Sequence, residues 1–241
     1  RSTPKPSSAA SDVYKRQALC VVHNETSTGS ISRIKEVRNA LNSANHDALL
    51  MVDTISGLAS MEYKHDEWGV DVTVSGSQKG LMLPPGLSFN AVSEKALLAS
   101  RSSGMRRSYW DWEEQIAANV DGAFPYTPAT NLLYGLSEAI KMLHEEGLDA
   151  VFQRHDRHAA ATRRAVQAWG LEVLCQEPQD FSSSLTAVLL PDGHDADVFR
   201  ARVLRKFNMS LGNGLSKLSG KVFRIGHLGD FNDLMLLGTL S

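Results

Sequence analysis

The sequence places a lysine directly after a short turn of small residues. Lys79 follows Ser75, Gly76 and Ser77 and precedes Gly80. If such a lysine is shielded from water, its neutral form is favoured, because desolvation disfavours the ammonium ion. The neutral amine is the nucleophile that condenses with an aldehyde to form an imine. Taken alone, the pattern is more typical of an exposed loop lysine, so any chemistry depends on the neighbouring residues.

Two other polar residues follow short apolar runs that predict strands. Asp53 comes directly after the run 48–52, and Thr26 lies just beyond the run 18–22. In open α/β sheets, ligands bind outside the carboxyl ends of the strands, so we expect Thr26, Asp53 and Lys79 to line one crevice. Without that convergence, Asp53 is an ordinary helix N-cap or turn residue, and Thr26 a turn residue.

The elements that must position these side chains follow an α/β pattern. The run 18–22 is wholly apolar, as in a parallel strand covered on both faces. Apolar residues then recur at helical spacing over 31–44, with Ser30 or Ser32 as the expected N-cap. Together with the run 48–52 they form a strand, helix, strand unit. This unit predicts a mostly parallel sheet, which a third strand at 70–74 extends to the Lys79 turn.

The pattern changes at Gly147, where a long amphipathic helix that starts near Leu132 ends. Beyond it we expect a small α+β domain at 147–241. Its predicted elements are helices at 151–169 and 196–207 and strands at 172–174, 185–190 and 222–225. Residues 1–17, rich in Ser, Pro and Ala, are interpreted as a disordered or non-native leader.

Composition favours chemistry on small molecules. The chain has 25 basic and 27 acidic residues among 241, so it offers no charged footprint for nucleic acid or an anionic membrane. No apolar run reaches the roughly 18 residues that span a bilayer. Cys20 and Cys175 lie in separate apolar runs, which indicates no disulfide framework and fits a reducing cytoplasm. His155 and His158 lack a third ligand nearby, so we interpret them as a solvated helix face and predict no metal site.

Taken together, the polar segments resemble the class V aminotransferases that depend on pyridoxal 5'-phosphate (PLP), and within them the serine-glyoxylate and alanine-glyoxylate group. The resemblance runs from Ala18 to the C-terminus. The segments that carry it are HNETSTG at 23–29, VDTIS at 52–56, SGSQKG at 75–80, YTPATNLLYGL at 126–136 and FRIGHLGD at 223–230. It implies PLP-transferase fold type I, with 18–146 as the C-terminal part of the PLP-binding large domain and 147–241 as the small domain.

The resemblance also implies a reaction and its residues. Serine or another small amino acid would give its amino group to glyoxylate, which becomes glycine. Lys79 would bind PLP through an imine and move the α-proton, and Asp53 would keep the pyridine nitrogen protonated so that the ring withdraws electrons. Thr26 would lie near the ring oxygen of the cofactor, and Gln78 beside its phosphate.

Two further roles depend on the same resemblance. Arg224 would grip the substrate α-carboxylate with its planar guanidinium. Thr127 would reach the phosphate in a neighbouring subunit, which implies a homodimer. Longer relatives carry a glycine-containing phosphate loop and a stacking aromatic residue before the part that matches Ala18, and neither is recognisable here. We therefore expect this chain by itself to bind PLP poorly and to transaminate little.

Other interpretations stay open. A cysteine desulfurase on the same fold normally has a histidine before the lysine and a mobile cysteine, whereas Gln78 precedes Lys79 here. A lysine-dependent aldolase would leave Asp53 without a purpose. A catalytically inert fragment or binding module would keep the fold and show no cofactor absorbance. Since Arg224 holds any α-carboxylate, the amino donor is not fixed.

Overall fold

The computed structural model describes residues 16–241, so most of the predicted leader lies outside the described residues. The first part of the chain contains the predicted strand, helix, strand unit as β1, α1 and β4, followed by the predicted third strand. In chain order the elements are β1 (Ala18–Val22), β2 (Asn24–Glu25), β3 (Ser30–Ile31), α1 (Ile34–Ser43), β4 (Leu49–Asp53), β5 (Val72–Gly76), β6 (Ser88–Val92), α2 (Glu94–Arg101), α3 (Trp112–Val120) and α4 (Thr130–Glu146).

The first sheet brings the expected strand ends side by side. Its order is β1-β4-β5-β6, with β1, β4 and β5 parallel and β6 antiparallel at one edge. Asp53 pairs with Val22 on one side and Val74 on the other. Strand β5 begins two residues later than predicted, at Val72. Just before it, the Asp71 carboxylate accepts the Leu50 N–H at 2.8 Å. The mostly parallel sheet is confirmed, while β6 was not predicted.

Two expectations about the first strand and helix are wrong. β1 is not covered on both faces by residues 16–241, since Leu19 and Val22 are each 38% exposed. β1 is also an edge strand in that range, paired only with β4. Neither Ser30 nor Ser32 caps α1, whose N-cap is Arg33 without a side-chain hydrogen bond to the helix. Ser30 is instead drawn into β3 by its pairing with β2.

The second part of the chain follows the predicted order closely. Its elements are α5 (Leu148–Ala168), β7 (Glu172–Val173), β8 (Leu185–Leu189), α6 (Ala196–Phe207), β9 (Gly212–Asn213), β10 (Val222–Gly226) and α7 (Asp233–Leu240). Four strands form an antiparallel sheet in the order β7-β8-β10-β9. Gly147, with φ +85°, joins α4 to α5, and a domain boundary at this residue stays a prediction. No helix within residues 16–241 has the length and apolar character needed to cross a membrane.

The interpretation of His155 and His158 as a solvated face is also wrong. His155 is 1% exposed and His158 is fully buried, because α5 packs against α4, β8 and α7. Helical spacing alone could not reveal that more than one side of this helix is covered. Within residues 16–241, no three His, Cys, Asp or Glu side chains are grouped as a metal site would require.

Candidate active site

Asp53 lies at the carboxyl end of β4, where the loop after β1 meets it. Its backbone carbonyl accepts a hydrogen bond from the His23 N–H at 2.8 Å. Its side chain accepts the Ile55 N–H through Oδ1, also at 2.8 Å. Among residues 16–241, none donates to Oδ2, so one carboxylate oxygen is available to a ligand.

Lys79 lies in a turn whose backbone is well held. Ser77 Oγ donates to the Pro84 carbonyl at 2.8 Å and accepts the Leu87 N–H at 3.2 Å. The Met82 N–H donates to the Lys79 carbonyl at 2.9 Å. The half-buried Lys79 side chain has no hydrogen bond or ion pair with any residue in the described range. The hydrogen bonds of the turn therefore fix the backbone of Lys79, while its amine has no partner among the described residues.

Gly80 brings the Lys79 turn against the loop that follows Asp53. A Cβ on Gly80 would stand 2.1 Å from the Leu58 carbonyl oxygen and 2.8 Å from Ser60 Oγ. The first distance is far below any tolerable contact with backbone, so no other residue fits without displacing the turn. The close packing of these two loops explains why a glycine follows the lysine.

Thr26 belongs to a small network of polar groups between the ends of β1 and β4. Its hydroxyl donates to Ser56 Oγ at 2.9 Å, and Asn24 Nδ2 donates to the same oxygen at 2.9 Å. Ser56 Oγ in turn donates to the Asn24 carbonyl at 2.7 Å. Ser56 is 4% exposed and Asn24 1% exposed, so these bonds satisfy groups that water does not reach.

Arg224 joins the second sheet to this network. Its Nε donates to the Asn213 carbonyl at 2.7 Å, and its Nη1 to the Thr26 carbonyl at 2.9 Å. No residue in the described range accepts from Nη2. Burial lowers the pKa of the Arg224 guanidinium, and the nearby charge of Arg200 adds to that effect. The structure thus brings a partly desolvated cation beside Thr26, with one donor group free.

The two remaining predicted residues are not brought into these contacts. Gln78 is exposed and lies back over Gly76, where an added Cβ would stand 2.8 Å from the Gln78 Oε1 atom. Thr127 is exposed before α4, and within residues 16–241 it forms no hydrogen bond to the other predicted site residues. Among the predicted site residues, only Thr26 and Arg224 are in direct contact. Asp53 lies at the end of β4, and Lys79 follows the end of the neighbouring strand β5.

The family model described as aminotransferase class-V matches residues 8–219. The chain belongs to the class V aminotransferases. It is 50% identical to a serine-glyoxylate aminotransferase from Methylorubrum extorquens and 42% identical to an L-aspartate-glyoxylate aminotransferase from Paracoccus denitrificans. Each match covers 95% of this chain and 58% of the relative, so the chain spans little more than half the length of these relatives.

The fold of this class V aminotransferase is also that of solved relatives. An alanine-glyoxylate aminotransferase from Nostoc sp. superposes with a TM-score of 0.87 at 29% identity, covering 99% of this chain and 64% of the other. The expected PLP-transferase fold type I is thereby confirmed. The family implies PLP as cofactor. The available groups fit it, since Asp53 offers a carboxylate oxygen and Lys79 an amine.

Several residues that contact the predicted site residues or their loops were not singled out from the sequence. They are Ser56, Gly80 and Gly229, each inside a motif that was recognised. The signal was weak because serine and glycine are common in loops. What distinguishes these residues is a contact with a segment far away in the chain, which spacing cannot show.

Proposed function

We propose that this chain belongs to a PLP-dependent transaminase that moves the amino group of a small amino acid, serine or alanine, to glyoxylate, giving glycine and a 2-oxo acid. The observation that carries the proposal is the free carboxylate oxygen of Asp53 at the end of β4, beside the strand that leads to the unpaired amine of Lys79. The similarity to aminotransferases named for glyoxylate supports the acceptor.

Each residue then has a defined task. Bound PLP supplies an aldehyde and an electron-withdrawing ring. Lys79 Nζ would hold the cofactor at its aldehyde carbon and would then move the substrate α-proton. Asp53 Oδ2 would keep a proton on the ring nitrogen. Arg224 Nη2, which has no acceptor within the described residues, binds the α-carboxylate.

The side chains of Thr26 and Gln78 must both move to make their proposed contacts with the cofactor. The Thr26 hydroxyl is directed to Ser56, so a contact with the ring oxygen of the cofactor requires that hydroxyl to rotate. Gln78 likewise has to leave Gly76 to reach the phosphate.

Thr127 is exposed and unpaired in the described chain, which agrees with its proposed contact to the phosphate of a second subunit in a cytoplasmic homodimer.

The desulfurase alternative is not favoured. Cys175 is buried with a raised pKa, first because of its burial, so it is a poor mobile nucleophile. Cys20 is exposed but lies within strand β1, which does not allow the movement that a catalytic cysteine needs. The relatives named for glyoxylate favour amino transfer instead.

The decisive experiment asks whether PLP selects Lys79. The chain is incubated with excess PLP, reduced with borohydride and digested, and the modified lysine is identified by mass spectrometry. We expect modification at Lys79 above that at Lys64, an exposed lysine paired with Glu62 and Glu67. Lys79→Arg should remove the label, whereas Lys64→Arg should not affect it. Equal labelling of both lysines would count against the proposal.

The substrate is tested separately with excess PLP present. [15N]Serine and glyoxylate should give [15N]glycine faster with the wild-type chain than with Lys79→Arg. A panel of amino donors then defines specificity, with serine and alanine expected to react best. Preference for a large or aromatic donor would contradict the proposed substrate class while leaving the role of Lys79 intact.

A further inference from the structure

Residues 227–232 form the linker between β10, which carries Arg224, and α7. Side chains of α5 form hydrogen bonds with the centre of this linker. The Gly229 N–H donates to His155 Nε2 at 3.1 Å. Arg154 Nη1 donates to the carbonyls of Gly229 and Phe231, both at 2.9 Å. Two consecutive side chains of α5 therefore bind both the donor and the acceptor of the Gly229 backbone.

These two side chains are themselves fixed in orientation. His155 Nδ1 lies 2.7 Å from the Val151 carbonyl, which can only accept, so Nδ1 carries the proton and Nε2 is the acceptor that Gly229 needs. Burial lowers the pKa of His155, which keeps the ring neutral near pH 7. Arg154 is held by Glu146 through two bonds of 2.7 and 2.8 Å, a bidentate pair that restricts its rotation.

Gly229 lies directly against the Lys79 turn. Its φ is +79°, and a Cβ at this position would stand 3.4 Å from Met82 Cγ and 3.6 Å from the Lys79 carbonyl oxygen. The same turn abuts the Leu58 carbonyl through Gly80. The backbone of Lys79 is thus confined by two segments, the loop after β4 and the linker that α5 holds.

We propose that His155 and Arg154 are positioning residues that set the location of the Lys79 turn through Gly229. The inference rests on the proposed function in one respect, that Lys79 is the reactive amine. A displacement of about 1 Å at a reacting group can lower a rate strongly, so the position of this backbone matters for the chemistry. The specific requirement at residue 155 is a hydrogen-bond acceptor at the place of Nε2.

That requirement separates two substitutions of similar polarity. His155→Asn keeps a donor for the Val151 carbonyl and loses the acceptor for Gly229, whereas His155→Gln places an amide oxygen near the position of Nε2. The matched control is His158→Asn. His158 is equally buried on the same helix, but its Nε2 bonds Asp233 at 2.7 Å and not the linker centre.

The first readout is hydrogen exchange in residues 77–84, where the Met82 and Leu83 amides bond the Lys79 and Ser77 carbonyls. We expect His155→Asn to speed the exchange of these two amides by about three- to tenfold, the effect of one lost hydrogen bond. His155→Gln and His158→Asn should stay within about twofold of wild type. If Asn and Gln at residue 155 behave alike, or if neither changes this exchange, the proposal is wrong.

Arg154→Lys is the second variant, and it tests the proposal if His155→Asn fails to fold. One ammonium cannot keep the bidentate bond to Glu146 and both linker carbonyls, so the same two amides should exchange faster; unchanged exchange overturns the proposal. The second readout is PLP labelling of Lys79, which should fall in His155→Asn and recover in His155→Gln. If even wild type shows no preferred label, the proposed function fails, while the exchange measurement still decides the positioning role.

Discussion

Arg224 donates from Nη1 to the backbone carbonyl of Thr26 at 2.9 Å, across 198 residues of sequence. This bond ties the antiparallel sheet to the loop at the end of β1. It also holds the guanidinium beside the residues that we propose to bind the cofactor. The same side chain therefore links two parts of the fold and presents a free donor to the site.

Arg224→Lys should weaken the binding of the amino donor. The ammonium keeps the charge but cannot serve Asn213, Thr26 and a carboxylate together, as the three guanidinium nitrogens can. We expect the apparent affinity for L-serine to fall by on the order of tenfold, measured by absorbance titration of the PLP-loaded chain. Arg200→Lys is the control, since Arg200 bonds Leu211 and Asp197 instead. Equal losses in both variants would argue against a substrate role.

Ser56→Ala should destabilise the chain and release Thr26. The substitution leaves the Thr26 hydroxyl and the buried Asn24 carbonyl without their Ser56 partner. The expected loss in the free energy of unfolding is about 1–3 kcal/mol, measured by urea denaturation. Ser184→Ala is the matched control, because Ser184 Oγ is fully buried without a partner within the described residues. A loss as large in that control would show that removing a buried hydroxyl, and not breaking the network, is responsible.

Gly80→Ala should be strongly destabilising. The added Cβ would meet the Leu58 carbonyl at 2.1 Å, so either the Lys79 turn or the loop after β4 has to move. We expect a loss of about 2–4 kcal/mol in the free energy of unfolding, together with weaker PLP labelling of Lys79. Gly104→Ala provides the comparison, since no atom lies within 4 Å of its added Cβ. A nearly neutral Gly80→Ala would mean that the two loops are less closely packed than described.

The buried His227 should make stability depend on pH. Its Nδ1 lies 3.0 Å from the Ser183 carbonyl and its Nε2 3.0 Å from Thr186 Oγ1, and burial lowers its pKa from 6.5 to about 3. As the pH falls, His227 is therefore protonated in the unfolded chain before it is protonated in the folded chain. The contribution of His227 to stability is complete above pH 6.5 and is progressively lost as the pH drops from 6.5 towards 3.

The variant His227→Asn isolates this contribution. Between about pH 6.5 and pH 5, His227 should account for a decrease of about 2 kcal/mol in the free energy of unfolding. The asparagine variant should be less stable near neutral pH, where it replaces a well-bonded ring, but its stability should fall less over this range. Urea denaturation at several pH values measures both slopes. Parallel slopes in the two proteins would show that another group titrates.

Much of the fold could be predicted because its signals are local. Helix α6 was predicted with the correct bounds, and β1 likewise, since apolar periodicity and short apolar runs are properties of neighbouring residues. The burial of each element was less predictable. The exposed face of β1 and the buried histidines of α5 depend on which other elements lie beside them, and single-element patterns do not contain that information.

The sequence by itself determined the family, the strand, helix, strand unit of β1, α1 and β4, and the candidates Lys79, Asp53 and Arg224, because each is carried by a contiguous motif or pattern. Only the tertiary structure decided how these residues are held. The bond from Arg224 to Thr26, the contact of Gly80 with Leu58 and the approach of Gly229 to Lys79 join segments distant in sequence. Each depends on the folded path of two backbones, which residue type and spacing do not specify.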